Sequence, residues 1–392
     1  MTLLHLNPSD LERRGAPHTA REIAQQPAVW QTVQALVASR RAELDTFLTP
    51  LLQAPAARIV LTGAGSSAFI GQCLAPALVQ ALADRPGVRV EAIATTDIVS
   101  NPSQCLTPGV PTLLVSFARS GNSPESLAAV ALADQVVGGD CRHLAVTCAA
   151  QGQLATELSS RLDALVLQLP DETHDRAFAM TSSFTGMLLA AAWAFQLPLP
   201  EAEVLGRAAQ HLLDTEAVRL QRLSDSGFER IVVLGSNSLQ GLAREAALKI
   251  LELTDGRVVA LADSPLGFRH GPKTILNDRT LVLMLVSADP YTARYDLDLL
   301  RELRREQRGR VITLGARAPD DAAASPDDDV SLALPVDTPD LGLAPVALVF
   351  AQCLALLASL RLGITPDNPS ASGTVTRVVS GVTIHPFDRP QS

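Results

Sequence analysis

The residues best placed to do chemistry lie in the run Glu245-Ala246-Ala247-Leu248-Lys249-Ile250-Leu251-Glu252-Leu253. Its charged positions are spaced i, i+4 and i+7, so on a helix they fall within ~60° of one another, a single stripe. Every other residue from Ala246 to Leu253 is apolar, and a helix apolar around its remaining circumference is largely buried. A solvated stripe with Glu245 and Lys249 as an i,i+4 pair is the plainer reading. Enclosure favours the other: charges facing a polar cavity, where burial raises a carboxyl towards general-base range and a neighbouring ammonium opposes the rise. His270 is the second candidate, in the loop Phe268-Arg269-His270-Gly271-Pro272-Lys273 between two cations. An imidazole is a side chain suited to proton transfer, although a lone loop histidine is commonly just solvated.

Such groups need something to hold a substrate. The loop Ser116-Phe117-Ala118-Arg119-Ser120-Gly121-Asn122-Ser123-Pro124 ends in an N-cap serine followed by proline at the first helical position. Free N–H groups at that helix start, with Ser120, Asn122 and Ser123 beside them, form a cradle for an anion such as a phosphomonoester. A second small-residue loop, Gly63-Ala64-Gly65-Ser66-Ser67-Ala68, satisfies GxGxxA. A nicotinamide site would also want a carboxylate at the end of the next strand, about twenty residues on. Glu91 lies inside that strand and Asp97 beyond it, so phosphate binding by Ser66 and Ser67 is the better reading and no cofactor is expected.

The elements that position these loops follow from the alternation of β-rich and helical runs. Arg58–Thr62, Val88–Ala94, Thr112–Phe117, His143–Thr147 and Ala164–Leu169 read as strands, separated mostly by helical stretches and followed by a helix Thr181–Phe195. Arg230–Leu234, Val258–Ala262, Thr280–Val286, Arg310–Leu314 and Val330–Pro335 repeat the series, with helices at Leu239–Leu253, Pro290–Arg308 and Leu343–Leu360. RIVLTGAGSS at Arg58 and RIVVLGSNS at Arg230 open the two series alike, which marks an internal duplication. The expected fold is α/β: two mostly parallel sheets covered by helices on both faces. The expected organisation is a helical segment over residues 1–50, with helices at Ala20–Val37 and Arg40–Leu52, then units over 51–205 and 206–392. Pro319–Asp329 reads as a surface loop.

The chain has 392 residues, 47% of them hydrophobic and 19% charged, enough for sizeable cores and against disorder. Its net charge of −9 provides no basic footprint for nucleic acid, and 4% aromatics provide no stacking platform. Only Lys249 and Lys273 are lysines. The five cysteines form no CxxC pair, and no HxH or HExxH spacing supports a metal site. Leu341–Leu360 is uncharged and long enough to span a bilayer, but its Pro345, Gln352 and alanines favour a helix buried in protein. With Asp10, Glu12, Arg13 and Arg14 near the start, no secretory signal is expected, and the expected location is the cytoplasm, with neither membrane nor nucleic acid as partner.

Together SGNSPES, EAALKILE and RHGPK resemble the SIS (sugar isomerase) domain proteins. The segments AFAMTSS (Ala177–Ser183) and Asp367-Asn368-Pro369 to Gly381-Val382 are similar to the AgaS branch, described as tagatose-6-phosphate ketose/aldose isomerase or galactosamine-6-phosphate deaminase. The resemblance implies two tandem SIS units of flavodoxin-like, three-layer form acting on a phosphorylated amino sugar. It implies Ser67, Ser120 and Ser123 at the phosphate, with Ser66, Asn122, Thr181 and Ser182 also at the substrate. Glu252 would move a proton between C1 and C2, His270 would assist ring opening, and Glu245 and Lys249 would support them. It also implies a homodimer or larger assembly in which the histidine loop reaches a neighbour's site. Two departures from the isomerase half of glucosamine-6-phosphate synthase stand out. Ala118 replaces a phosphate-loop serine, so one hydroxyl contact is missing or supplied by Ser116, and no lysine follows Lys273, which removes a Schiff base from the C-terminal loop and leaves Lys249 or Arg377 to supply charge. Deamination and simple aldose–ketose isomerisation share their first steps, and the residues do not separate them. A non-catalytic sugar-phosphate sensor would need the serine loops but not Glu252 and His270.

Overall fold

The computed structural model describes residues 3–317, 328–379 and 381–388; residues 319–327 of the expected surface loop lie outside the described residues. The first sheet contains β1 (Ala57–Thr62), β2 (Val88–Ala92), β3 (Thr112–Ala118), β4 (Cys141–Thr147) and β5 (Ala164–Gln168), all parallel, in the order β2-β1-β3-β4-β5. The second contains β6 (Arg230–Leu234), β7 (Val259–Asp263), β8 (Thr280–Leu285), β9 (Arg310–Gly315) and β10 (Asp329–Ser331) in the order β10-β9-β8-β6-β7. Both sheets are parallel, as expected from the alternating pattern, and both have the 2-1-3-4-5 order of the flavodoxin-like form that the resemblance implies. β1, β3, β6 and β8 are apolar along nearly their whole length because helices cover both faces.

In this topology the crossover direction reverses between β1 and β3, and again between β6 and β8. Ligands bind beyond the carboxyl ends of the strands at such points. In the first sheet that places the loops 63–67 and 119–123 side by side, since Thr62 and Ser116 are paired in register.

The long uncharged run is the helix Asp340–Arg361, and all twenty residues from Leu341 to Leu360 are buried in the core. Helix Ser66–Ala81 packs against helix Ser238–Leu253 at close range. A Cβ on Gly241 would come within 2.6 Å of the Cys73 backbone nitrogen, so this crossing requires glycine. That contact brings the charged stripe of the second helix to the serine loop that starts the first.

The N-terminal segment is helical, but the expected single helix Ala20–Val37 is two, Pro17–Ala24 and Gln26–Ser39. Pro27 causes the break: it has no N–H to donate and its ring crowds the preceding turn, so it sits in the first turn of a new helix. The expected strand Val330–Pro335 shrinks to β10, because Ala333 takes a left-handed φ of 53° and the chain turns away from the edge. Chain ends meet as well. The Asp367 carboxylate accepts from the N–H of His18 (3.0 Å) and Thr19 (2.7 Å) and from the Thr19 hydroxyl (2.7 Å).

Candidate active site

Helix Ser238–Leu253 holds Glu245, Lys249 and Glu252 on one side, as the spacing predicts, with Glu245 and Lys249 among its buried residues. Glu245 and Lys249 are fully buried, and the Glu252 side chain is 23% exposed. Lys249 Nζ is the hub. It donates to Glu252 Oε2 at 2.5 Å and to Ser66 Oγ at 3.0 Å, and lies 3.4 Å from Glu245 Oε1. Ser66 begins the helix after β1, so this bond joins the charged stripe to the first serine loop across the two halves.

Burial alone would push the Lys249 ammonium down, but Glu245 and Glu252 outweigh it and hold it above its ordinary value. Glu245 goes the other way. Burial raises it to about 7 against the opposing pull of Lys249, and Glu252 adds to the rise. Neither Glu245 oxygen has a well-formed hydrogen bond. The ammonium thus stays charged with Glu252 as its hydrogen-bonded partner, while Glu245 is a carboxyl that readily takes a proton.

The second serine loop follows β3. Ser123 caps helix Pro124–Val137, accepting from Ser126 N–H at 3.3 Å, and its hydroxyl lies 2.7 Å from that of Ser126. Ser120 Oγ accepts from Asn122 N–H at 3.3 Å, and Asn122 Oδ1 accepts from Gln153 N–H at 2.9 Å, fixing the turn. The N–H groups of Ser120, Gly121 and Ser123 form no hydrogen bond with the described residues, so they are available to an anion. Ser67 is buried with only a sulfur contact, 3.9 Å to Met180. Ser116, the suggested substitute at Ala118, is buried with its hydroxyl unpaired.

Arg119 is a site residue to which the sequence alone assigns no role. Only 8% exposed, it donates to the carbonyls of Phe178 (2.9 Å), Arg377 (2.8 Å) and Ala177 (3.5 Å). Burial and the neighbouring Arg377 lower its pKa, against Asp175 and Glu252. Its acceptors are main-chain oxygens far away in sequence, so no motif announces it. Arg377 completes the tie by donating to the Asp175 carbonyl and to Ala177 O at 3.3 Å.

Thr181 and Ser182, expected at the substrate, have a different use here. The buried Asp175 carboxylate accepts from the N–H of Thr181 (2.7 Å), Ser182 (3.0 Å) and Ser183 (2.9 Å) and from the Thr181 hydroxyl (3.0 Å). The Ser182 hydroxyl donates to Glu22 O at 2.7 Å. Their polar groups therefore hold the loop to the N-terminal helix rather than facing an open site.

His270 is exposed, and among the described residues no hydrogen bond or ion pair joins its ring to Glu252 or to the serine loops. The cations flanking it are committed to helix Pro290–Glu306: Arg269 to Glu302 at 2.9 Å, and Lys273 to Glu302 and to Glu306 at 2.7 Å. One protomer thus brings together Ser66, Glu245, Lys249 and Glu252 beside the serine loops and leaves the imidazole outside that cluster.

A cavity of about 680 Å³ between the N-terminal helices and Gly206–Gln210 holds none of these residues and is mostly apolar. Asp134, Cys141 and His143 offer three ligand atoms close together, but Asp134 is already bound bidentately by Arg161 (2.6 and 2.8 Å) and by His143 (2.8 Å), a complete ion-pair group.

Two parallel 2-1-3-4-5 sheets flanked by helices match the SIS α/β fold, and the SIS domain profile matches residues 223–362. A D-galactosamine-6-phosphate deaminase AgaS of Escherichia coli is 47% identical over 94% of this chain and 96% of its own, and one of Shewanella sp. is 44% identical over 98% and 96%. The crystal structure of tagatose-6-phosphate ketose/aldose isomerase from Escherichia coli matches with a TM-score of 0.86 and 43% identity, over 95% of this chain and 97% of that one. The chain belongs to the AgaS family of SIS-domain proteins.

Proposed function

We propose that this protein is a sugar-phosphate isomerase/deaminase that converts galactosamine 6-phosphate into tagatose 6-phosphate and ammonia. The carrying observation is the contact of Lys249 with both Glu252 and Ser66, which puts a carboxylate, an ammonium and a serine loop at one switch point. The names of the relatives supply the substrate class.

In the proposed mechanism the phosphate rests on the free N–H groups of Ser120, Gly121 and Ser123, with the hydroxyls of Ser67, Ser120 and Ser123 and the Asn122 amide around it. That remote grip fixes the reacting carbons. After ring opening, Glu252 removes the C2 proton from the open-chain aldehyde, giving an enolamine whose C1 oxygen gains a proton. Glu252 then returns a proton to C1, leaving a ketimine at C2. Water adds to that imine and ammonia leaves, giving the ketose. Lys249 and the buried Glu245 form a proton-sharing pair behind Glu252, and the ammonium offsets charge developing on the enolic oxygen. His270 serves ring opening in the site of a second copy, which accounts for its exposure in a single protomer.

The test is ammonia release from galactosamine 6-phosphate by the purified chain, expected to fall at least roughly 10²-fold in Glu252→Gln with its melting curve unchanged. Wild-type turnover in that variant removes Glu252 from the mechanism. Ketose formation without ammonia assigns simple isomerisation instead.

A further inference from the structure

Glu22 is a buried carboxylate that the proposed mechanism does not use. It lies on helix Pro17–Ala24 in the N-terminal segment and is 2% exposed. Among the described residues it pairs with one cation, Arg21, which is 4.0 Å away with its side chain 55% exposed, a weak pair. Main-chain amides satisfy it instead. Arg176 N–H donates to Glu22 Oε1 at 2.6 Å, and Ala177 N–H reaches both carboxylate oxygens, at 3.3 and 3.4 Å. Burial and the Asp175 charge raise this carboxyl to about 7 against those amides, so it is ionised at about pH 8.

Arginines hold the same stretch of main chain from its other side. The peptide unit joining Asp175 to Arg176 gives its N–H to Glu22 and receives the Arg377 guanidinium on its carbonyl, so one amide group lies between opposite charges. A peptide polarised from both ends strengthens each of its hydrogen bonds. Ala177 O accepts from Arg377 at 3.3 Å and from Arg119 at 3.5 Å, and Phe178 O accepts from Arg119 at 2.9 Å. Arg119 also donates to the Arg377 carbonyl, at 2.8 Å. The Arg119 guanidinium is thus oriented by this strap and by the residue the strap holds. Arg119 immediately precedes Ser120 and Gly121, whose free N–H groups belong to the anion cradle, and it lies within electrostatic reach of Glu252. Helix Pro17–Ala24 is a firm anchor, because the Asp367 carboxylate caps its first turn while the Asp367 carbonyl accepts from Phe178 N–H at 3.0 Å.

We propose that Glu22 is a positioning residue for the phosphosugar: from the N-terminal segment it anchors the main-chain strap of residues 175–178, which holds Arg377 and Arg119 and so fixes the anion cradle. This role rests on the cradle of the proposed function and not on its reaction.

Galactitol 6-phosphate keeps the phosphate and the hydroxyls but has no aldehyde, so it is bound without turnover. In calorimetric titration at about pH 8, Glu22→Gln and Arg377→Gln should each bind it roughly fivefold more weakly than the wild type. Because the two residues act in series, Glu22→Gln/Arg377→Gln should also lose about fivefold rather than about 25-fold. Gln25 ties the same N-terminal segment to Glu172 O (2.7 Å) and Ser182 Oγ (3.0 Å) but not to the strap, so Gln25→Ala should bind as the wild type does. In the wild type, with no variant needed, the linkage must run both ways. Bound galactitol 6-phosphate should slow amide hydrogen exchange in residues 175–178 and leave that of helix Gln26–Ser39 unchanged. Unchanged affinity in Glu22→Gln, equal loss in Gln25→Ala, a multiplicative loss in the double variant, or unchanged exchange in the wild type overturns the role of Glu22 alone. A wild-type chain that does not bind galactitol 6-phosphate overturns the cradle, and the proposed function with it.

Discussion

Replacing Lys249 by methionine keeps the aliphatic stem and removes only the buried charge. Its ammonium makes hydrogen bonds to Glu252 and Ser66 and sits 3.4 Å from Glu245, with no exposure to water. Glu252, partly exposed, can turn to solvent, whereas Glu245 has neither water nor a good hydrogen bond. Removing one member of a buried ion pair costs about 3–5 kcal/mol, because the other charge is left without compensation. The cost of Lys249→Met should therefore sit on Glu245. At about pH 8 the variant should lose that amount of unfolding free energy, and Lys249→Met/Glu245→Gln should recover most of it, because the amide carries no charge. At about pH 5.5 the single variant should lose less, since Glu245 then takes a proton. Urea unfolding followed by circular dichroism, with equal slopes among variants, measures each difference. A double variant no more stable than Lys249→Met would refute the reasoning and assign the cost to packing.

Glu245 also sets a pH trend in the wild-type protein. Its folded value, about 7, lies above its ordinary 4.5, so the stability it contributes is complete below pH 4.5 and is lost as pH rises through 7. Glu245→Gln should remove about 3 kcal/mol of that decline, read from unfolding free energies across the window. Glu22, also raised to about 7 by burial and Asp175, leaves a residual slope. Mixing Glu252→Gln with His270→Ala, each inactive alone, should restore about one quarter of wild-type activity if a dimer shares its sites, because half the dimers are mixed and each has one intact site; no recovery places His270 in its own protomer's site or outside catalysis. Arg119→Lys keeps charge but cannot reach three carbonyls in a planar fork. It should raise KM for the phosphosugar roughly tenfold with a smaller change in kcat, whereas equal loss in both would indicate a direct part in chemistry.

The strand series was legible because a parallel sheet covered on both faces leaves continuous β-branched runs such as RIVLT and RIVVL, and the structure extends or trims all but the edge strand β10 by a residue or two. The short helices Thr95–Ser100 and Pro102–Cys105 escaped, being too brief for any helical period to show. The charged stripe was legible too, since charges at i, i+4 and i+7 of an otherwise apolar helix are costly to bury unless they meet one another or a polar cavity. Nothing in the sequence could reveal that Arg119 reaches the carbonyls of Phe178 and Arg377, or that Asp175 gathers the amides of Thr181–Ser183, because these bonds depend on main-chain atoms that carry no residue signature. The sequence offers His270 as a candidate proton carrier, and the structure leaves its ring exposed and unbonded to Glu252.

The antiparallel pair of helices at the centre has a consequence for how such a molecule can specialise. Two identical halves associating as separate chains would own two equivalent clefts, and any substitution would strike both. Joined in one polypeptide, the halves are free to diverge. In the proposed mechanism one half supplies the anion cradle and the other donates Lys249 and Glu252, while the corresponding amides of that second half, Ala288 and Ser287, donate to Asp340 and Asp296. On that proposal neither half separated from its sibling would own a whole reaction centre.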